Sequence, residues 1–310
     1  MFARLFVLVC ACALCMPASA QPLATLHPDL DAAQAFDYCA WAFGAEPDTT
    51  GLAQLRAWTS SEYEGAVDPL YRAGATIVTA GVQVARASDD AEACMAAIDR
   101  GQKVYGNILR FRRGGLENRQ TYDRSDDPAI AAVQDSLAQL WVDDQAARST
   151  LLQLSTEDTV GAAYWGLQIA RARTSAIDVR STRYMEHLMT EYDWIDSHRF
   201  GDRISQHAWL LVQHADAKPA VQRLALERME PHLATGGVQP GNYAYLWDRV
   251  AVNAGQLQRY GTQPTWECTD DGLVLAPLEN PDAVDERRAD MGLGPVAESL
   301  AEMTAAVCQG

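Results

Sequence analysis

Apolar residues recur three and four positions apart along most of this chain, the spacing that gives an α-helix one buried face. From Asp29 to Phe43 that face carries Phe36, Cys39, Ala40 and Phe43, and Gly44 follows as a stop. Asp68-Pro69 has the form of an N-cap with a proline in the first turn, and the helix it predicts runs to about Ala87. Ser88-Asp89-Asp90 begins another, carrying Cys94, Ile98, Val104 and Ile108, with Gly114-Gly115 as its end. The polar stretch Glu117 to Asp126 reads as an exposed connection. It divides an N-terminal helical region, residues 21–126, from a second helical region, residues 127–310.

Asp127-Pro128 opens the next helix, whose apolar face runs Ile130, Val133, Leu137, Leu140, Trp141 and then Asp144, Arg148 and Leu151. Asp144 therefore stands where an apolar residue is expected, with Arg148 one turn on. The pair reads either as surface charge at the edge of the stripe or as an acid and an arginine turned into a pocket. Further helices are predicted over Thr159–Arg173 and Ile177–Tyr192, followed by a loop from Asp193 to Gly201. The helix Asp202–Asp216 places Ile204, His207, Ala208, Leu211, His214 and Ala215 on one face. Trp209, Leu210 and Val212 make its other faces apolar, so it reads as buried nearly all round. Lys218-Pro219 starts the next helix, closed by Gly236-Gly237, and Pro240–Ala254 is another, with Asp248 among Ala244, Tyr245, Ala251 and Val252.

After Gly255 the period changes. Gln258–Trp266 and Gly272–Leu278 look extended and are joined by Asp270-Asp271-Gly272, the signal of a hairpin near 258–278. Asn280-Pro281 caps a short helix holding Glu286, Arg287 and Arg288, and Pro295 opens a last helix to Cys308. The fold class is mainly α, a helical domain with a small C-terminal β-hairpin.

The first twenty residues follow a different rule. Arg4 precedes an apolar run from Leu5 to Met16, and Pro17-Ala18-Ser19-Ala20 supplies a small-x-small cleavage pattern. This is the form of a secretory signal peptide cut after Ala20, and it implies a periplasmic or secreted protein. Cys39, Cys94, Cys268 and Cys308 remain, an even number suited to an oxidising compartment. Four cysteines allow three pairings. Cys39–Cys94 with Cys268–Cys308 is favoured, because each bond would tie one end of the chain to its own neighbourhood. The formal charge is −16, and loss of Arg4 makes it one unit more negative. Such a field argues against nucleic acid, and no further run reaches the ~18 apolar residues of a membrane span.

Chemistry-bearing residues concentrate between Gln206 and Gln263, where His207, His214, Asp216, Asp248, Arg249, Tyr260 and Gln263 lie among core-like residues. Buried polar groups cost free energy unless paired, so they belong to a site or to a fixed network. His207 and His214 are seven residues apart, about 10.5 Å along a helix, too far to share one metal ion. No metal is assigned, although one histidine with Asp144 or Asp248 leaves a ligand set geometrically open. Phosphate-cradling, dinucleotide and serine-nucleophile motifs are absent, and no cofactor is expected. The sharper reading is acid–base chemistry by His214 paired with Asp248. Asp144 and Arg148 would close that site, with His207, Arg249 and Tyr260 or Gln263 as further ligand contacts.

The segments WLLVQHAD at 209–216, DRV at 248–250 and Q-x-Y-G-T-Q at 258–263 resemble those of a widespread bacterial family classed as a domain of unknown function. Asp144-Gln145-x-x-Arg148 and Asp285-Glu286-Arg287-Arg288 are similar to its pattern too, and the resemblance runs from about Val133 to the C-terminus. One departure is Tyr192-Asp193-Trp194, where the family favours a glycine before the tryptophan. The resemblance implies a site and no chemistry. Three functions are compatible: a module binding a small polar ligand or a protein partner, a hydrolase or lyase using His214 and Asp248, and a purely structural polar network. The first is preferred.

Overall fold

A computed structural model describes residues 28–59, 69–155 and 158–308 of the chain. The expected signal peptide and the Asp68 cap lie outside those residues. Among them the fold is mainly α, thirteen α-helices and one two-stranded antiparallel sheet near the C-terminus. Among the described residues no helix is long and apolar enough to cross a membrane.

The N-terminal helices are α1 (Pro28–Ala35), α2 (Tyr38–Phe43), α3 (Thr49–Thr59), α4 (Pro69–Ala87) and α5 (Ala91–Glu117). The single helix expected up to Phe43 is broken. Asp37 turns its carboxylate onto the Ala40 amide at 2.8 Å and so caps α2 as a separate start. Helix α3 was not anticipated. Helix α5 runs through Gly114-Gly115, helped by the Arg113–Glu117 pair one turn apart, and stops at Asn118. Cys39 on α2 is bonded to Cys94 on α5.

Two long helices follow, α6 (Pro128–Gln153) and α7 (Gly161–Tyr192). The sequence suggested a break near Thr174-Ser175, yet α7 is continuous for 32 residues. Both hydroxyls are absorbed by the helix itself, Thr174 donating to the Ala170 carbonyl and Ser175 to that of Arg171. Along its first half α7 gives Trp165, Ile169, Ala172 and Ala176 to a core shared with Tyr38, Ile77, Val78 and Val84. Its second half gives Met185, Leu188 and Met189 to another core, with Leu137 of α6. That second core is completed by α8 (Ser197–Phe200), α9 (Asp202–Gln213), α10 (Pro219–Leu233) and α11 (Pro240–Asn253).

Helix α7 ends at a turn that departs from ordinary backbone geometry. Asp193 has φ 67° and ψ −70°, and the Trp194 amide closes a three-residue turn on the Tyr192 carbonyl at 2.9 Å. A side chain is strained there by about 1–3 kcal/mol, and glycine is not. Asp193→Gly loses an exposed ion pair to Arg228 and gains unfolded-state freedom, each worth under about 1 kcal/mol. The net expectation is a gain of about 1 kcal/mol, read as a higher urea midpoint at unchanged slope. A lower midpoint would mean that the turn stores no strain.

The C-terminal segment consists of β1 (Pro264–Thr269), β2 (Gly272–Leu275), α12 (Val284–Asp290) and α13 (Val296–Cys308). Thr269 faces Gly272, so Asp270-Asp271 form the hairpin loop, and Cys268 on β1 is bonded to Cys308 on α13. The hairpin begins later than its periodicity suggested. Residues 258–263 instead form a loop, with Gln258 making an isolated bridge to Leu278.

Candidate functional site

Helix α9 stops one turn earlier than its pattern predicts. His214 is its C-cap, and residues 214–218 form the turn into α10. That turn is held through Asp216, whose carboxylate takes Arg249 Nε at 2.8 Å and Arg249 Nη2. Gln222 and Asn253 donate to the same carboxylate at 3.1 and 2.9 Å. These bonds draw Asp216 below the ordinary carboxylate range although burial pushes the other way. Arg249 thus ties the segment 209–216 to α11 and reaches the site only through Asp216.

His214 meets α6. Its Nδ1 lies 2.9 Å from Asp144 Oδ1, which also accepts from Arg148 Nε at 2.9 Å, while Gln145 donates to Oδ2 at 2.7 Å. Asp144 is 1% exposed. Burial alone would raise its pKa, but the hydrogen bond and charge of His214, with Arg148, hold it below the usual value. Arg148 Nε stands 3.0 Å from the same Nδ1, so Asp144 Oδ1, Arg148 Nε and His214 Nδ1 form one close triangle that holds this side of the ring. Nε2 has no hydrogen-bond partner among the described residues.

On its other side Arg148 donates through Nη2 to Asp178 of α7 at 2.5 Å. Burial pushes the Asp178 carboxyl up to about 7; Arg148 opposes the shift, and the charges of Asp144 and Asp216 add to it. Arg148, Asp178, His214 and Asp216 line a cavity of about 250 Å³, together with Ser175, Thr182, Arg183 and Lys218. Asp178 was not anticipated from sequence. The sequence reading places it inside the helix starting at Ile177 and gives it no role.

Asp144, Asp178 and His214 each offer a ligand atom, all within 4.8 Å of one another, the donor set of a small cation. The Arg148 guanidinium already stands among them, within 2.9, 2.5 and 3.0 Å of the three side chains. A resident arginine fills the cationic position.

The expected pairing of His214 with Asp248 does not occur. Asp248 is fully buried and turns to the loop that follows α11, accepting the amides of Arg259 at 2.7 Å, Tyr260 at 3.0 Å and Thr262 at 2.9 Å. The Thr262 hydroxyl adds a fourth donor at 2.9 Å. From the other side buried Arg288 donates to the Tyr260 carbonyl at 2.8 Å. Gly261, at φ 65°, completes the loop, and a Cβ there would meet Val296 at 2.8 Å. Gln263 accepts from the Gln258 side chain through its carbonyl at 3.0 Å and donates to Thr262, well inside this loop. Tyr260 is buried edge-on against Trp247. Asp248, Tyr260 and Gln263 therefore form a separate network and do not line the cavity.

His207 is not at the cavity either. It stacks on Trp141, ring centroids 4.6 Å apart, with neither ring nitrogen hydrogen-bonded. Burial depresses its pKa to about 4, with Arg203 adding to the effect, so it is a neutral core residue.

The site therefore joins Asp144, Arg148 and His214 and gains Asp178. No curated protein and no solved structure matches the chain. Residues 133–308 match a described family, and that span holds all four side chains. The chain belongs to the family of unknown function DUF6624.

Proposed function

We propose that the cavity beside His214 is a small-molecule site that performs general acid–base chemistry, in a protein exported to an oxidising compartment. The observation that carries this reading is the division of labour on His214. Asp144 holds Nδ1, and Nε2 has no partner among the described residues on a wall shared with Asp178. A histidine oriented in this way serves as a base through Nε2, and a carboxyl that keeps its proton to about pH 7 serves as an acid. A base and an acid on one small cavity suit a hydrolase or lyase. Two disulfides and the signal-like N-terminus support export.

A second reading, binding without turnover, has its own support. The Ser175 and Thr182 hydroxyls on the cavity wall donate to carbonyls of their own helix, so neither is poised as a nucleophile.

Thermal shift of wild type, His214→Ala and Asp178→Asn against small metabolites and cell-wall fragments tests both readings. The expected result is a compound that stabilises wild type but not His214→Ala, while the two unliganded proteins melt within a few degrees of each other. Mass spectrometry of that compound after incubation then separates turnover from binding. A His214→Ala variant that melts far below wild type, with no compound moving either protein, would reduce the cluster to architecture.

A further inference from the structure

The chemistry left free on Arg148 narrows the ligand class, and this step rests on the small-molecule reading above. We propose that the cavity takes a compact oxyanion, a carboxylate or phosphate group on a short apolar body, held by the Nη1 edge of Arg148. Nε of Arg148 is committed to Asp144 and Nη2 to Asp178, at 2.9 and 2.5 Å, whereas Nη1 has no partner among the described residues. A guanidinium carries five N–H groups in one plane, so donors at Nη1 remain for the cavity that Arg148 lines. Hydrogen bonds on two sides fix that plane. The Nη1 donors are therefore presented without the rotamer loss that a loose arginine would incur on binding. Carboxylate and phosphate oxygens match this geometry and add a charge–charge attraction that a neutral carbonyl lacks.

The rest of the wall agrees with this assignment. Pro69, Val179, Ala215 and Ala217 supply apolar surface for a short body, and about 250 Å³ falls below the ~300–1,000 Å³ of drug-sized pockets. Of the other charges on the wall, Lys218 is paired with Glu186 and Asp216 with Arg249, which leaves the Nη1 donors of Arg148 facing the cavity. The charged and titratable groups around Asp178 are Arg148 and Asp144 from α6, His214, Asp216 and Lys218 from the turn after α9, and Arg183 from α7. While protonated, Asp178 donates to an oxyanion; once ionised, it repels one. Anion affinity therefore falls as pH rises through about 7.

Titration calorimetry on the full disulfide-bonded chain tests the proposal with propionate, inorganic phosphate, propionamide and propylamine as probes. Propionate or phosphate is expected to bind at least about tenfold tighter than propionamide, and more weakly at pH 8 than at pH 6. Which anion binds distinguishes a carboxylate from a phosphate ligand. Arg148→Lys keeps the charge without the planar fork and should weaken the anion at least about tenfold. Ala217→Trp, at an exposed rim position, should block binding without touching the Asp144–Arg148–His214 contacts.

Amide or amine binding equal to that of the anions, and blocked by Ala217→Trp, would overturn the oxyanion assignment and leave the small-molecule site standing. Unchanged anion affinity in Arg148→Lys would overturn it as well. Failure of all four probes, where the wider screen finds a neutral ligand, would remove only the oxyanion. Failure of every compound would remove both readings.

Discussion

Asp248→Ala is expected to lose about 3–5 kcal/mol of stability, the largest effect of any single change considered for this protein. The substitution strips a fully buried carboxylate from three main-chain amides and one hydroxyl and leaves Arg288 beside a loop whose donors have no acceptor. Asp248→Asn should be milder but still costly, since its amide nitrogen would face donors. Urea denaturation measures the loss, and amide exchange at residues 259–262 should rise first. A catalytic Asp248 would behave in the opposite way, with stability kept and activity lost.

The second large effect is a change in pH dependence. Asp178 holds its proton to about 7 in the folded chain, against an ordinary carboxylate value of 3.8. Between about pH 4 and 7 the native state therefore binds a proton that the unfolded chain has released. The contribution is fully present below about pH 4 and is lost as pH rises through about 7. Full linkage over three pH units would be about 4 kcal/mol. The Asp178 side chain is 26% exposed, so about half of that, roughly 2 kcal/mol, is expected. Asp178→Asn stays neutral and can still accept from Arg148. It should match wild type near pH 4 and exceed it by that amount at pH 8. Parallel stability curves for the two proteins would show that Asp178 titrates as an ordinary acid.

Sequence reading succeeded where local chemistry sets the structure. Pro128, Pro219 and Pro240 open α6, α10 and α11, and the loop Asp270-Asp271 turns the hairpin. Both disulfides join the cysteines that the sequence paired. The reading failed where a side chain could serve two masters. Thr174 and Ser175 look like breakers until their hydroxyls bond back to their own helix. Asp144 stood out in an apolar stripe, but its partner came from 70 residues away, and no helical spacing encodes that distance. Asp248 was equally conspicuous for a different reason: buried carboxylates are as useful for holding a loop as for moving a proton. His214 meets Asp144 because Asp248 is already saturated by the loop that follows α11.

Helix α7 also has a mechanical meaning. At about 1.5 Å per residue its 32 residues form a rod about 48 Å long, clasped by one core at each end. Asp178 and Thr182 sit near the middle of its span, between the two cores. With each end packed into its own core, the helix carries its middle, and with it part of the cavity wall, as a single stiff span between them. Asp178 is thus mounted on the stretch of backbone that both cores brace.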